Sequence, residues 1–317
     1  MTSCDNRHAN LMEAREAPQT HNGVPHTSKI VDVSVVMPCL NEADAIAACI
    51  DEALRSVAAM GLSGEVVVVD NGSTDDSVAV ALAAGARVIH EPERGYGNAC
   101  RRGMSEARGR YLVMGDSDGT YDFTALPHFV EPLIGGVDMV IGNRLNKTME
   151  KGAMPWLHRY VGNPVLTRTM NVIYGSEIGD AHCGLRSITK PFFDRLELSS
   201  SGMEFASEFL IEAVRHEVII EQVPIVYRRR LGGQPKLRTF RDGFRHLRLM
   251  LARSTAARRD SDLEPLRREW HPAAAMASGG ETIVDLTLLG GHDSASREVS
   301  TLRADTMAHN ADRVDIV

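Results

Sequence analysis

Apolar runs in this chain stop repeatedly at residues that can do chemistry. Tyr111–Met114 ends at Gly115 and delivers Asp116 and Asp118, one residue apart. The valine run of 65–70 ends in Asp70 and Asn71, with Asp75 just beyond, and the run of 30–38 ends at Pro38 and continues as Cys39-Leu40-Asn41-Glu42. Carboxylates beside a buried strand are costly when unpaired. A lone Asp-x-Asp is more often a turn or a helix cap, but three polar clusters at successive strand ends are hard to explain that way. Gathered at one sheet edge, they form a cation site. Hard oxygen ligands select Mg²⁺ or Mn²⁺, and a cation with few protein ligands shares its shell with substrate phosphates.

The elements that must position these residues follow from periodicity. Strands are expected at 30–38, 65–70, 87–90, 111–116 and 138–144, alternating with helices at 42–60, 73–85, 98–109 and 124–136. Asn41 is placed to cap the first helix, with Asp44 in the capping-box position, and Ser73 or Thr74 to cap the second. Such alternation means βαβ units and a mostly parallel sheet covered on both faces, an α/β fold in which ligands sit outside the carboxyl ends of the strands. The later part reads as a helix over 155–175, a loop and strand over 180–189, a strong helix over 203–217, and a strand interrupted by Pro224, hence at an edge. The expected organisation is a disordered leader over 1–29, one domain over 30–255 in two halves (30–145 and 146–255), and a polar, disordered tail over 256–317.

Composition narrows the function. A formal net charge of −7 gives no footprint for nucleic acid. The five scattered cysteines form no Cys-x-x-Cys pair, so neither zinc nor a disulfide framework is signalled, and free thiols in a reducing compartment are expected. The first residues lack the apolar core of a signal peptide and no run is long enough to span a bilayer, which points to a cytoplasmic chain that at most lies on a membrane surface. The glycines of Arg94-Gly95-Tyr96-Gly97 do not complete a dinucleotide fingerprint, because Cys100 stands at the third glycine position, and no P-loop is present.

The stretches VVMPCLNEAD, VVVVDNGSTDDS, ERGYGNACRRGMSEARGRYLVMGDSDGTYDF, VIGNR, GDAHCGLR and LGGQPKLR, in this order, resemble the family-2 glycosyltransferases with a GT-A fold, in particular the dolichyl- or polyprenyl-phosphate sugar synthase branch. The resemblance implies that Pro38, Leu40, Asn41, Glu42, Asp70, Asn71 and Ser117 line the nucleotide donor, and that Asp116 and Asp118 hold metal and diphosphate. It makes Arg186 a phosphate contact, Lys236 a loop lysine near substrate phosphates, and Asp180 a candidate base. Thr120 replaces a glutamine common in that branch.

The implied reaction is a single inverting displacement on a GDP- or UDP-linked sugar. Arg144 is placed to add positive charge at the leaving group or acceptor. A phosphate monoester acceptor, with a second pKa near ~6, arrives already anionic. A hydroxyl acceptor needs a base such as Asp180 or His182. Residues 227–259 carry eleven Lys/Arg and one Asp, and Phe240, Phe244, Leu247 and Leu251 recur at helical spacing beside Arg241, Arg245 and Arg248. Such a helix either rests on anionic lipid or covers its own domain. The polar sequence after residue 254, where many bacterial relatives have hydrophobic helices, keeps a soluble acceptor open, such as a sugar or aminocyclitol. Two other classes stay open as well: a sugar nucleotidyltransferase and a non-catalytic nucleotide-binding module.

Overall fold

The computed structural model describes residues 31–145, 149–232 and 239–254. The leader, the tail over 256–317 and Lys236 lie outside the described residues. In chain order the elements are β1 (Val33–Cys39), α1 (Ile46–Ala59), β2 (Gly64–Asp70), α2 (Ser77–Ala83), β3 (Arg87–His90), α3 (Tyr96–Glu106), β4 (Tyr111–Met114), α4 (Pro127–Ile134) and β5 (Met139–Asn143). There follow α5 (Asn163–Tyr174), β6 (Arg186–Thr189), α6 (Lys190–Phe193), α7 (Phe205–Arg215), β7 (Ile220–Pro224) and α8 (Thr239–Ser254).

Seven strands form one sheet in the order β3-β2-β1-β4-β6-β5-β7. β1 runs parallel to β2 and β4, and β2 parallel to β3. Val66–Val69 are all buried, which requires cover on both faces of the sheet. β6 is the exception, antiparallel to both β4 and β5, while β5 and β7 are again parallel. Because β6 runs backwards, Arg186 at its start pairs with Met114 at the end of β4. The loop entering β6 is thereby delivered to the edge where β1, β2, β4, β5 and β7 end. β7 stops at Pro224 on the outside of the sheet, as a residue without an amide hydrogen requires.

The expected caps of α1 and α2 differ from those observed. α1 begins at Ile46 with no side-chain cap. Asn41 instead adopts φ +55°, a left-handed conformation that asparagine tolerates better than most residues. Its side-chain oxygen accepts from the Thr74 amide at 2.7 Å, and its own amide donates to Ser73 Oγ at 3.0 Å. Asn41, Ser73 and Thr74 therefore tie two strand-end loops together. The first turn of α2 is held by Asp75, which accepts from the Ser77 amide at 3.0 Å.

Candidate active site

Three strand ends, β1, β2 and β4, open on one edge and are locked to one another. The Ser117 hydroxyl donates to the Pro38 carbonyl at 2.8 Å, and the Asn71 amide donates to the Cys39 carbonyl at 2.9 Å. Asp70 turns back on its own loop, accepting from the Ser73 amide at 2.9 Å and facing His90 Nδ1 at 3.2 Å. Asn71 is committed too: its side-chain nitrogen donates to the carbonyls of Glu91 and Glu93, both at 2.9 Å, and its oxygen accepts from the Gly95 amide at 2.7 Å. Of the expected donor set, Asp70, Asn71 and Ser117 thus shape the loops with their polar atoms. Leu40 and Pro38 are half-buried at the rim, and Asn41 is exposed.

The acids meet as their spacing implies. Asp116 Oδ1 accepts from the Tyr96 hydroxyl at 3.0 Å. Asp118 Oδ1 accepts from the amide and hydroxyl of Thr120 at 3.0 and 2.6 Å, so Thr120 fixes the orientation of this carboxylate. Asp118 Oδ2 accepts from Arg230 Nη1 at 2.6 Å, and the other end of the same guanidinium donates to buried Glu42. Arg230 Nε closes onto the Gly232 carbonyl at 2.6 Å. Burial and the negative charge of Asp118 push the Asp116 carboxyl up to about 6. Among the described residues, no group of three or more His, Cys, Asp or Glu is gathered as a complete metal cage.

These residues fit a divalent cation. A carboxyl raised by a neighbouring acid, and an arginine side chain already seated as counter-ion on Asp118 and Glu42, mark a place short of positive charge. Two aspartates without a full cage suit an ion whose remaining positions belong to substrate phosphates. Arg230 was not singled out in the sequence, where it is one of three consecutive arginines. The other two are occupied elsewhere: Arg228 with Glu52 and Asp122, and Arg229 on the Lys151 carbonyl. Only the tertiary fold distinguishes them.

The loop entering β6 supplies the other half of the edge. Asp180 is 1% exposed and Arg144 7%, and they form a two-pronged pair, Nε to Oδ2 at 2.7 Å and Nη2 to Oδ1 at 2.9 Å. The Arg144 amide adds a third hydrogen bond to Oδ2 at 3.1 Å. Burial alone would raise the Asp180 carboxyl, but the charge and hydrogen bonds of Arg144 outweigh it and hold it below the ordinary carboxylate range. Asp180 thus sits as a buried counter-ion to Arg144. Arg144 lies 5.3 Å from the ring centre of Tyr227, and Tyr227 packs edge-on against Tyr121. The Tyr121 hydroxyl accepts from the Gly184 amide at 2.6 Å.

Arg186 departs furthest from expectation. It is fully buried, and its guanidinium donates to the carbonyls of Cys183 and Ala206, 3.1 and 3.0 Å away, with the Phe209 ring centre at 5.4 Å. A cation so enclosed holds the loop-to-strand junction and the first turn of α7; a phosphate could reach it only by breaking those bonds. His182 is likewise engaged, with its Nε2 3.1 Å from the buried Ser207 hydroxyl, which in turn lies 2.7 Å from His246 Nδ1 on α8. Glu204, at the start of α7, makes no cap and pairs with Arg245 at 3.1 Å. His158 was not singled out in the sequence; burial and the charge of Arg144 hold its imidazole below the ordinary value. The thiols of Cys39, Cys49, Cys100 and Cys183 are free and buried.

The model for glycosyl transferase family 2 matches residues 34–196. This chain belongs to that family. Among the relatives of this glycosyltransferase, the low-salt glycan biosynthesis hexosyltransferase Agl6 of Haloferax volcanii is 44% identical over 220 residues, 69% of this chain and 53% of that protein. The chain thus spans about half the length of that relative. A dolichyl-phosphate hexose transferase of the same organism is 32% identical over 212 residues, 67% of this chain and 89% of that protein. Glucosyl-3-phosphoglycerate synthase from Mycobacterium tuberculosis, solved with phosphoglyceric acid, superposes with a TM-score of 0.56 at 25% identity, covering 73% of this chain and 82% of that one. The same synthase has been solved with Mn²⁺ and uridine diphosphate, at 24% identity to this chain and a TM-score of 0.55, a likeness of fold. The expected GT-A architecture is the one observed. No helix of the described residues is long and apolar enough to cross a membrane.

Proposed function

We propose that this family-2 glycosyltransferase moves a hexose from a GDP- or UDP-linked donor to a polyprenyl-phosphate-type acceptor, with inversion at the anomeric carbon. The observation that carries the reading is the acid group Glu42, Asp116 and Asp118, held at the common strand edge and already drawing a guanidinium into it. Mg²⁺ or Mn²⁺ held by Asp116 and Asp118 would neutralise charge on the departing diphosphate. An acceptor oxygen attacks the anomeric carbon from the face opposite the diphosphate. The bond from that carbon to the diphosphate oxygen breaks, and its electron pair leaves with the nucleoside diphosphate.

The state of Asp180 supports the acceptor reading. A hydroxyl acceptor needs a base, and the carboxylate expected to serve is locked onto Arg144 and withdrawn from solvent. A phosphate monoester needs none, since it arrives ionised. The name of the dolichyl-phosphate hexose transferase supports the same class. A soluble anionic acceptor is the second reading, favoured by the likeness to a synthase solved with phosphoglyceric acid. The enzyme would work on the cytoplasmic side, in peripheral contact with the membrane that carries its acceptor.

The test is a matrix of UDP- and GDP-hexoses against a polyprenyl phosphate and soluble acceptors, with Mn²⁺ present. Release of nucleoside diphosphate together with a glycosylated lipid phosphate of inverted configuration is expected. Pyrophosphate release would indicate a nucleotidyltransferase, and binding without turnover a non-catalytic module. Either result overturns the reading.

A further inference from the structure

We propose that the outer face of α8, together with the turn that leads into α5, is a docking face for an anionic lipid bilayer. A helix that merely covers its domain turns its apolar stripe inward. α8 does the reverse. It packs against α5 and α7 with Asp242, His246 and Met250 buried. Phe244 is 67% exposed, Leu251 55% and Leu247 36%. Arg241 and Arg248 share the outward stripe, at positions three residues before Phe244 and Leu251. The only acid in the helix, Asp242, is on the inner side.

The neighbouring element repeats the pattern. The turn His158–Gly162, which packs on α8, leaves Tyr160 and Val161 exposed, and just before it Trp156 is 68% exposed. Arg168 on α5 is exposed as well. Single exposed apolar side chains are ordinary, but several large ones on two packed elements mark an interaction surface.

Its chemistry selects the occupant. The chain carries a net charge of −7, yet this face is cationic, with arginines interleaved among aromatic and aliphatic groups. A two-fold contact between copies would bring arginine stripes of the same sign together, and the cores of protein interfaces are depleted of charge. A bilayer surface accommodates both components: apolar groups enter the headgroup boundary, tryptophan and tyrosine sit at its level, and guanidinium groups reach the lipid phosphates. The proposal rests on the acceptor reading in one respect, since a lipid-borne phosphate would be met at such a surface. Binding to a bilayer does not depend on it.

The full chain is tested by flotation with phosphatidylcholine vesicles, with and without phosphatidylglycerol and without any polyprenyl phosphate. Salt-sensitive binding to the anionic vesicles only is expected. Arg241→Gln and Arg248→Gln should each lower partitioning about fivefold, and Phe244→Glu with Leu251→Glu should abolish it at an unchanged melting temperature. The chain has two tryptophans; with Trp270→Phe the emission of Trp156 should shift to the blue on anionic vesicles. Failure to float, flotation insensitive to these substitutions, or a dimer that the two glutamates dissociate would each overturn the proposal. Turnover of a short, water-soluble polyprenyl phosphate without vesicles reports on the acceptor reading alone, so the two can fail separately.

Discussion

On the proposed assignment of Asp116 and Asp118 as metal ligands, Arg230 competes with the ion for Asp118, and removing it should make the site a better metal site. Its Nη1 lies 2.6 Å from Asp118 Oδ2, with side-chain exposures of 22% and 11%. Charge centres about 4 Å apart at an effective dielectric near 20 attract by about 4 kcal/mol. Rehydration of the separated ions and the regained freedom of the arginine offset most of that, leaving a net of about 1.5 kcal/mol, within the range for a charge-assisted hydrogen bond. A cation that binds Asp118 must first displace the guanidinium and forgo that net. Arg230→Met should therefore bind Mn²⁺ about tenfold more tightly than the parent chain in the absence of nucleotide, because 1.4 kcal/mol is one decade. The assay is titration calorimetry, or the free Mn²⁺ signal by electron paramagnetic resonance, with Asp118→Asn as the variant that loses binding. Loss of a purely structural ion pair would leave metal affinity unchanged or weaken it. An Arg230→Met dissociation constant within twofold of the parent's, or larger, refutes the competition.

Four further outcomes are expected. Burial lowers the His246 imidazole from 6.5 to about 4, so the unfolded chain takes up the proton first as pH falls; this contribution is complete above 6.5 and is lost between 6.5 and 4, by up to about 3 kcal/mol, and a smaller drop in urea midpoint between pH 7.5 and 5 for His246→Asn would confirm it. Asp180→Asn leaves Arg144 buried without its counter-charge and should cost about 3–5 kcal/mol, whereas the pH profile of turnover on a phosphate acceptor should keep its shape; disappearance of an acidic limb would mark Asp180 as a base. A Cβ at Gly97 would lie 2.1 Å from the Ser200 carbonyl oxygen and 2.9 Å from Phe205 Cβ, so Gly97→Ala should lower stability by about 2 kcal/mol, read as a fall in melting temperature. Asp118→Ala should abolish both turnover and Mn²⁺-dependent nucleotide binding, and excess chelator should abolish parent turnover; full activity in chelator would contradict the metal assignment.

Much of the fold could be read directly from the chain. Apolar runs alternating with helical periodicity located β1 to β5 and α1 to α4, and Pro224 placed β7 at an edge, because these signals are local and depend on side-chain period and missing backbone donors. That the strands leading to Asp70, Asp116 and Asp118 end on one edge was readable as well, since parallel strands joined by helices must end on the same side. Caps were less readable. Asn41 carries a capping side chain, yet it spends that side chain on the loop after β2, a partner thirty-three residues away.

What the sequence determined by itself was the element order, the parallel core and the set of acids at its carboxyl edge, all consequences of local pattern and chain direction. Only the tertiary structure decided which charges pair. The reversed β6 set Asp180 against Arg144 and enclosed Arg186 among carbonyls, and the chain leaving β7 swung Arg230, rather than either neighbouring arginine, onto Asp118 and Glu42. It also turned the apolar stripe of α8 outward. An ion pair depends on distance and burial to within an ångström or two, and residue spacing along the chain carries neither quantity once the partners are far apart in sequence.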